Sequence, residues 1–412
     1  MPLDATSPGL DALLLATVLQ LELSDRDLRV ADKRYQHIPE HLQRPTSRLR
    51  KLMDSARIYP QGSRAIGATI VNGTDEDRFD LDAILEFYRP QGWTPRDVLD
   101  ELFVAFQGFP DVKKIERCTR CIQLQFAFMH LDVTPMDPHP EPRHERVGQI
   151  FHSPDRGPDE AHDVNPFGFI QWFKANVGPT NKVFLDHVAK TRSGLEMTGR
   201  LEPGTLYADA DVDDLPEPID PIRDTPQVIA LKLMKRYLNR RYANRDMKRP
   251  VSIYLSKIAA LLPANPNGLC AQLESYAAEL DRRMTYAMES GQWPQERNPE
   301  FRPENFNDRW PHTIQDMRAF SGDLQHLIRE LARARHSELI DIQKIFDDLF
   351  GERVSEKAIR SYADGLAGAA SSSTYERGKG FVASPGLLRP AEASRPTTSR
   401  AKPHHFHPGK LK

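Results

Sequence analysis

Apolar positions change period along this chain, and each change marks a different kind of structure. From about residue 8 to 55 they recur at helical spacing: Leu13 to Leu23 is an apolar run interrupted by Gln20 and Glu22. Ser24, placed before Asp25 and Asp27, caps a second predicted helix that Pro45 ends, and a short helix through Leu49 and Leu52 follows. Between Arg57 and about Phe151 the period shortens to that of strands, most clearly in Arg57-Ile58-Tyr59, Phe79 to Phe87 and Ile122 to Val133. One helix interrupts them, opened by the capping pattern Thr94-Pro95-Arg96-Asp97 and continued through Leu99, Leu102 and Phe103. A helix between strands predicts a mixed sheet. Pro135 to Asn165, rich in proline, histidine and acid, predicts a surface loop, with a helix from Pro166 to about Val177 after it. Beyond about Thr225 the pattern is helical almost to residue 366, as Pro226 to Asn244, Pro250 to Leu262, Gly268 to Ser290, His312 to Ala334 and Ser337 to Phe350.

The predicted fold is therefore α+β, a mixed β-sheet core with an N-terminal helical entry, a C-terminal helical bundle, and the active site in the cleft between them. Its divisions fall at 1–55 for the entry helices, 56–180 for the sheet core, 181–222 for a connecting segment, 223–368 for the helical domain and 369–412 for a tail. That tail, from Ala369 on, carries eight Lys or Arg against Glu376 and Glu392 and is expected to be disordered alone. A length of 412 residues also favours two domains over one core. With 56 basic and 58 acidic side chains, bulk charge points neither to a nucleic-acid coat nor to a membrane-surface protein. Three cysteines exclude a disulfide scaffold and fit a reducing, cytoplasmic setting. Leu13 to Leu23 follows Asp4 and Asp11 without a basic start, so it reads as a buried helix rather than a targeting or membrane segment.

The candidate chemistry lies on the strands. In Arg78-Phe79-Asp80-Leu81-Asp82-Ala83-Ile84, alternation puts Asp80 and Asp82 on one face and Phe79, Leu81 and Ala83 on the other. Asp132 lies in the second apolar strand, Phe126 to Val133. Three carboxylates on neighbouring strands suit two magnesium ions, one neutralising a triphosphate and one activating a hydroxyl, and manganese could substitute. Upstream, Gln61-Gly62-Ser63 offers a glycine that lets backbone N–H groups approach phosphate and a hydroxyl that donates another bond. Asp75, Glu76 and Asp77 read as a solvated turn.

This arrangement resembles the DNA polymerase beta-like nucleotidyltransferases. More particularly, Ile58 to Ser63, Phe79 to Asp82, His130 to Pro135, Asn165 to Phe169 with Trp172-Phe173, and Asn298-Pro299 with Glu304 to Phe306 and Arg309-Trp310 resemble the bacterial cyclic GMP-AMP synthase/DncV-like family. The resemblance implies a cytoplasmic antiphage-signalling enzyme that joins nucleoside triphosphates such as ATP and GTP into a cyclic di- or trinucleotide, which activates an effector. It implies that residues 56–180 are the nucleotidyltransferase core, that Asp80, Asp82 and Asp132 hold metal, and that Gln61, Gly62 and Ser63 bind phosphate. Lys235 matches the lysine that reaches the donor triphosphate, Lys232 is the fallback, and Ser252 matches a serine contacting the same phosphates at a helix start. Where many relatives carry threonine directly after the glycine, this chain has Gly67-Ala68-Thr69, so no hydroxyl role is expected there. Lys232, Lys235, Arg236 and Arg240 equally fit a plain exposed basic face.

Alternatives stay open: a linear oligoadenylate synthase or other template-independent transferase would use the same triad, and a catalytically silent nucleic-acid-binding protein would keep the fold. Animal relatives respond to double-stranded nucleic acid, but no zinc-binding insertion is visible, so nucleic-acid activation is not evident. Cys118-Thr119-Arg120-Cys121 has the spacing of half a zinc site, yet in an alternating strand the thiols would face opposite sides, which favours a structural role. His404, His405 and His407 receive no catalytic part. The resemblance further suggests that a ubiquitin-transfer-like partner could act on the C-terminal tail.

Overall fold

The computed structural model describes residues 8–71, 79–140, 145–178, 182–197, 221–371, 374–376 and 380–382. The acidic turn at Asp75, Glu76 and Asp77, most of the 181–222 connection, and most of the tail with its histidines lie outside them.

The sheet is mixed. Strands β1 (Arg57–Gln61), β2 (Phe79–Glu86), β3 (Lys114–Arg117), β4 (Ile122–Gln125) and β5 (Met129–Pro138) lie in the order β1-β2-β5-β4-β3. Only β2 and β5 run parallel, joined through a crossover; β6 (Gly148–His152) pairs antiparallel with the end of β5, and β7 (Glu160–Val164) pairs β6. Two expectations are corrected here. Pro135 to Asn165 is not a loop throughout, because it completes β5 and supplies β6 and β7; prolines and a polar edge strand hide the alternation. Ile122 to Val133 is two antiparallel strands rather than one, turning at Phe126 to Phe128.

Two apolar cores organise the helices. Helix α2 (Asp25–Leu42), α3 (Gly62–Ala65) and α4 (Pro95–Phe106) follow α1 (Pro8–Leu19) in the chain, and α2 and α4 cover one face of the sheet. Ser24 Oγ caps α2 by accepting from Asp27 N–H at 3.1 Å, and Thr94 with Asp97 forms a capping box on α4. Helix α2 carries Pro39 within it and ends at Leu42, short of Pro45. Helix α1 joins the other core, with α5 (Pro166–Asn176) and the helical domain: α6 (Lys182–Met197), α7 (Pro226–Tyr242), α8 (Ser252–Leu261), α9 (Leu269–Ser290), α10 (Ile314–Ala334), α11 (Leu339–Phe350) and α12 (Glu352–Ser371). Its central element is α7, buried nearly all round and capped by Thr225.

A hairpin of β8 (Arg297–Asn298) and β9 (Phe301–Asn305) bolts the halves together. Glu304 accepts from Asn165 N–H at 2.9 Å and from Asn298 Nδ2 at 2.7 Å, while Asn298 Nδ2 also reaches Asn165 O at 3.0 Å. Asn165 in turn caps α5 by accepting from Gly168 N–H. The buried amide cluster thus sets the start of α5, which forms part of the cleft wall.

Candidate active site

Register brings the acids together. Asp82 lies directly opposite Asp132 on parallel β2 and β5, and Asp80 lies opposite His130 on the same face. Phe79, Leu81 and Ala83 are buried behind them, as alternation requires. The acidic face forms one wall of a cleft of about 640 Å³, a volume within the usual range for ligand sites. Gln61, Gly62 and Ser63 border it from the β1 exit, Lys235 and Ser252 from α7 and α8.

Burial, then repulsion from Asp132 and Asp80, pushes Asp82 up to about 7, with Lys235 opposing. Burial also raises Asp132, against a hydrogen bond from Gln123. Lys235 sits across the cleft, with Nζ donating to Ser63 Oγ at 2.6 Å and to Ala68 O at 3.0 Å. Burial and neighbouring Arg249 lower it to about 7, opposed by Asp82 and Asp80. A buried ammonium with a depressed pKa regains its charge when an anion arrives.

Among the described residues, no three His, Cys, Asp or Glu side chains converge on a single metal position. Asp80 turns toward His130, 3.4 Å away, and Asp82 toward Gly62, where an added Cβ would stand 2.1 Å from Oδ2. The donor chemistry nevertheless fits a divalent cation: three oxygen-ligand side chains share one face, and their mutual repulsion is what a cation relieves. Gly62 holds φ +60°, so glycine serves both the left-handed turn and the close approach of Asp82.

Lys232 is placed elsewhere. It is 2 % exposed, and its Nζ donates to Glu22 at 2.6 Å and to Arg223 O at 3.1 Å, away from the cleft lining. The exposed basic face is corrected for three of its four members, since Lys232, Lys235 and Arg236 are buried between α7 and its neighbours, while Arg240 is exposed as expected. Thr69, expected to be idle, lines the cleft with a buried hydroxyl that lacks a hydrogen-bond partner. Sequence reasoning assigned no role to Gln123, His130, Asn239 or Arg249, which also line it. The available signal was alternation: Gln123 and His130 fall on the polar face of strands already predicted.

The cysteines need correction too. Cys118 and Cys121 flank the β3–β4 turn, with Cys118 N–H donating to Cys121 O at 2.9 Å and the two thiols hydrogen-bonded, rather than facing opposite sides. Alternation fails because the strand begins at Ile122.

A mixed sheet bearing three acids, a Gly-Ser turn beside them and a helical domain closing the cleft define a nucleotidyltransferase. No protein-family model matches the chain. It is 32 % identical over 396 residues to the cyclic dinucleotide synthase CdnG of Bradyrhizobium diazoefficiens, covering 95 % of this chain and 91 % of that one. The structure of that CD-NTase in complex with GTP superposes with a TM-score of 0.72, over 86 % of this chain and 99 % of the other. The E. coli MS115-1 CdnC:HORMA-deltaN complex shares the fold at 14 % identity, TM-score 0.51, over 80 % of this chain and 93 % of that one. The chain belongs to the cyclic GMP-AMP synthase/DncV-like nucleotidyltransferase (CD-NTase) family. Membership implies divalent-metal catalysis on nucleoside triphosphates. Among the described residues no helix is long and apolar enough to cross a membrane.

Proposed function

We propose that this cleft joins purine nucleoside triphosphates, GTP among them, into a cyclic dinucleotide, releasing pyrophosphate at each bond. The observation that carries the reading is the Asp82–Asp132 register facing the Lys235–Ser63 pair across one open cleft. The GTP-bound relative supports a purine substrate.

The donor triphosphate lies along Gly62-Ser63 and Ser252, whose backbone N–H at the start of α8 is free of an intrahelical partner. Lys235 exchanges its contact with Ser63 for phosphate oxygens and regains full charge as they approach. Two magnesium ions, or manganese in their place, held by Asp80, Asp82 and Asp132, would neutralise the triphosphate and acidify the attacking ribose hydroxyl. That hydroxyl attacks the α-phosphorus in line with departing pyrophosphate, and Lys235 and Ser63 offset the charge on the leaving group. Phe169 and Ile170 give the cleft an apolar wall, and its openness leaves space for the linear intermediate to turn before a second attack closes the ring.

The product, made in the cytoplasm, activates a separate effector in antiviral signalling. The basic tail is a candidate substrate for a ubiquitin-transfer-like partner; truncation after Gly368 that leaves defence intact would remove that part. The central reaction is tested by pyrophosphate release: Asp80→Asn and Asp82→Asn should abolish it while circular dichroism stays native, and normal turnover in both would overturn the assignment.

A further inference from the structure

Asp132 does not hang free in the cleft. Gln123 stands opposite it on antiparallel β4, and Gln123 Nε2 donates to Asp132 Oδ1 at 2.9 Å. Behind Gln123 lies a chain of further groups. Gln125 Nε2 donates to Gln123 Oε1 at 2.7 Å and to Glu116 Oε2 at 3.1 Å, and Lys114 Nζ donates to the same Glu116 oxygen at 2.8 Å.

The two ends of this chain dictate its direction. A carboxylate only accepts, so each glutamine must present its amide nitrogen to the acid beside it. Gln125 then spends both amide hydrogens, one on Glu116 and one on Gln123. With its oxygen occupied by Gln125, Gln123 cannot flip without losing both bonds. Its N–H is therefore aimed at Asp132 before any ligand arrives. Asp80 and Asp82 are held differently: Asp80, 62 % exposed at its side chain, has the ring of His130 3.4 Å away, and Asp82 turns toward Gly62.

We propose that Gln123 is a positioning residue that acts through Asp132, fixing the plane of that carboxylate for the divalent cation, with Gln125 and Glu116 holding Gln123 in its donating orientation. The inference rests on the reading of Asp132 as a metal ligand. Groups that orient metal ligands in this way are commonly worth about 10–100-fold in metal affinity.

The test is Mn2+ binding to the full-length protein with a nonhydrolysable GTP analogue, read as loss of the free-ion electron paramagnetic resonance signal. Gln123→Leu should weaken binding by about 10–100-fold. Gln125→Leu, which leaves Gln123 in place but unsupported, should weaken it by less, giving an affinity between wild type and Gln123→Leu. Thermal melting separates the positioning role from a structural one: the expected result is weaker Mn2+ binding at an unchanged midpoint. Binding within twofold of wild type in both variants overturns the inference, as does a loss of affinity only in proportion to lost folded protein. Asp132→Asn serves as the control. If it binds Mn2+ as wild type does, the metal-ligand reading itself fails, a result distinguishable from failure of Gln123 alone.

Discussion

Replacing Glu22 by glutamine separates the buried charges that hold the fold from those that face the cleft. Glu22 lies 2.6 Å from Lys232 Nζ and also pairs with Arg192, which reaches Asp224 at 2.6 Å. Burial opposes ionisation of Glu22, but the charges of Lys232 and Arg192 outweigh it and hold the carboxyl at about 2, against an ordinary 4.5. At roughly 1.36 kcal/mol per tenfold, that displacement corresponds to about 3 kcal/mol of native-state stabilisation. A second route gives a similar figure: stranding one charge of a buried pair costs about 3–5 kcal/mol. Glu22→Gln and Lys232→Met should each lose about 3 kcal/mol in urea unfolding followed by circular dichroism, whereas Glu22→Leu combined with Lys232→Met should recover much of it. Because the folded pKa lies below the unfolded one, this stabilisation is complete above pH 4.5 and lost as pH falls toward 2. The gap between wild type and Glu22→Gln should therefore be constant from pH 8 to 6 and narrow below about 4.5. A gap under about 0.5 kcal/mol at neutral pH, or one that widens on acidification, would show that Glu22 is not held ionised by Lys232 and Arg192.

Lys235→Met removes the cation facing the donor phosphates and should lower kcat/KM for the triphosphate by about 100-fold or more, measured by initial-rate pyrophosphate release. Gly62→Ala drives a Cβ into Asp82 Oδ2 at a backbone angle that disfavours side chains; activity should fall by about 100-fold while the melting temperature drops only slightly. Glu304→Ala leaves Asn165 N–H and one amide hydrogen of Asn298 without their acceptor and should cost about 1–3 kcal/mol in urea unfolding.

The acidic face was legible because strand alternation is a local rule: Phe79, Leu81 and Ala83 go inward whatever the rest of the chain does, so Asp80 and Asp82 must share the other side. Caps were legible for the same reason, and Ser24 and Thr94 bind the backbone amides their positions foretold. Long-range choices were not. Lys232 and Lys235 sit three residues apart on a helix buried nearly all round, so only the neighbours of α7 decide that one meets Glu22 and the other Ser63. Strand β7 escaped because Glu160-Ala161-His162-Asp163 makes a polar edge with little apolar rhythm. The Gln123–Asp132 pairing depends on antiparallel register, which a one-residue slip would have reversed.

Product identity decides whether this cleft closes a ring. The full-length protein is incubated with labelled ATP, GTP, CTP, UTP and magnesium, treated with phosphatase, and the survivors are analysed by mass spectrometry. The surviving product should be a phosphatase-resistant cyclic purine dinucleotide that contains guanine and is absent with Asp82→Asn. A linear product that loses its terminal phosphates, or no triphosphate consumption at all, would contradict ring closure.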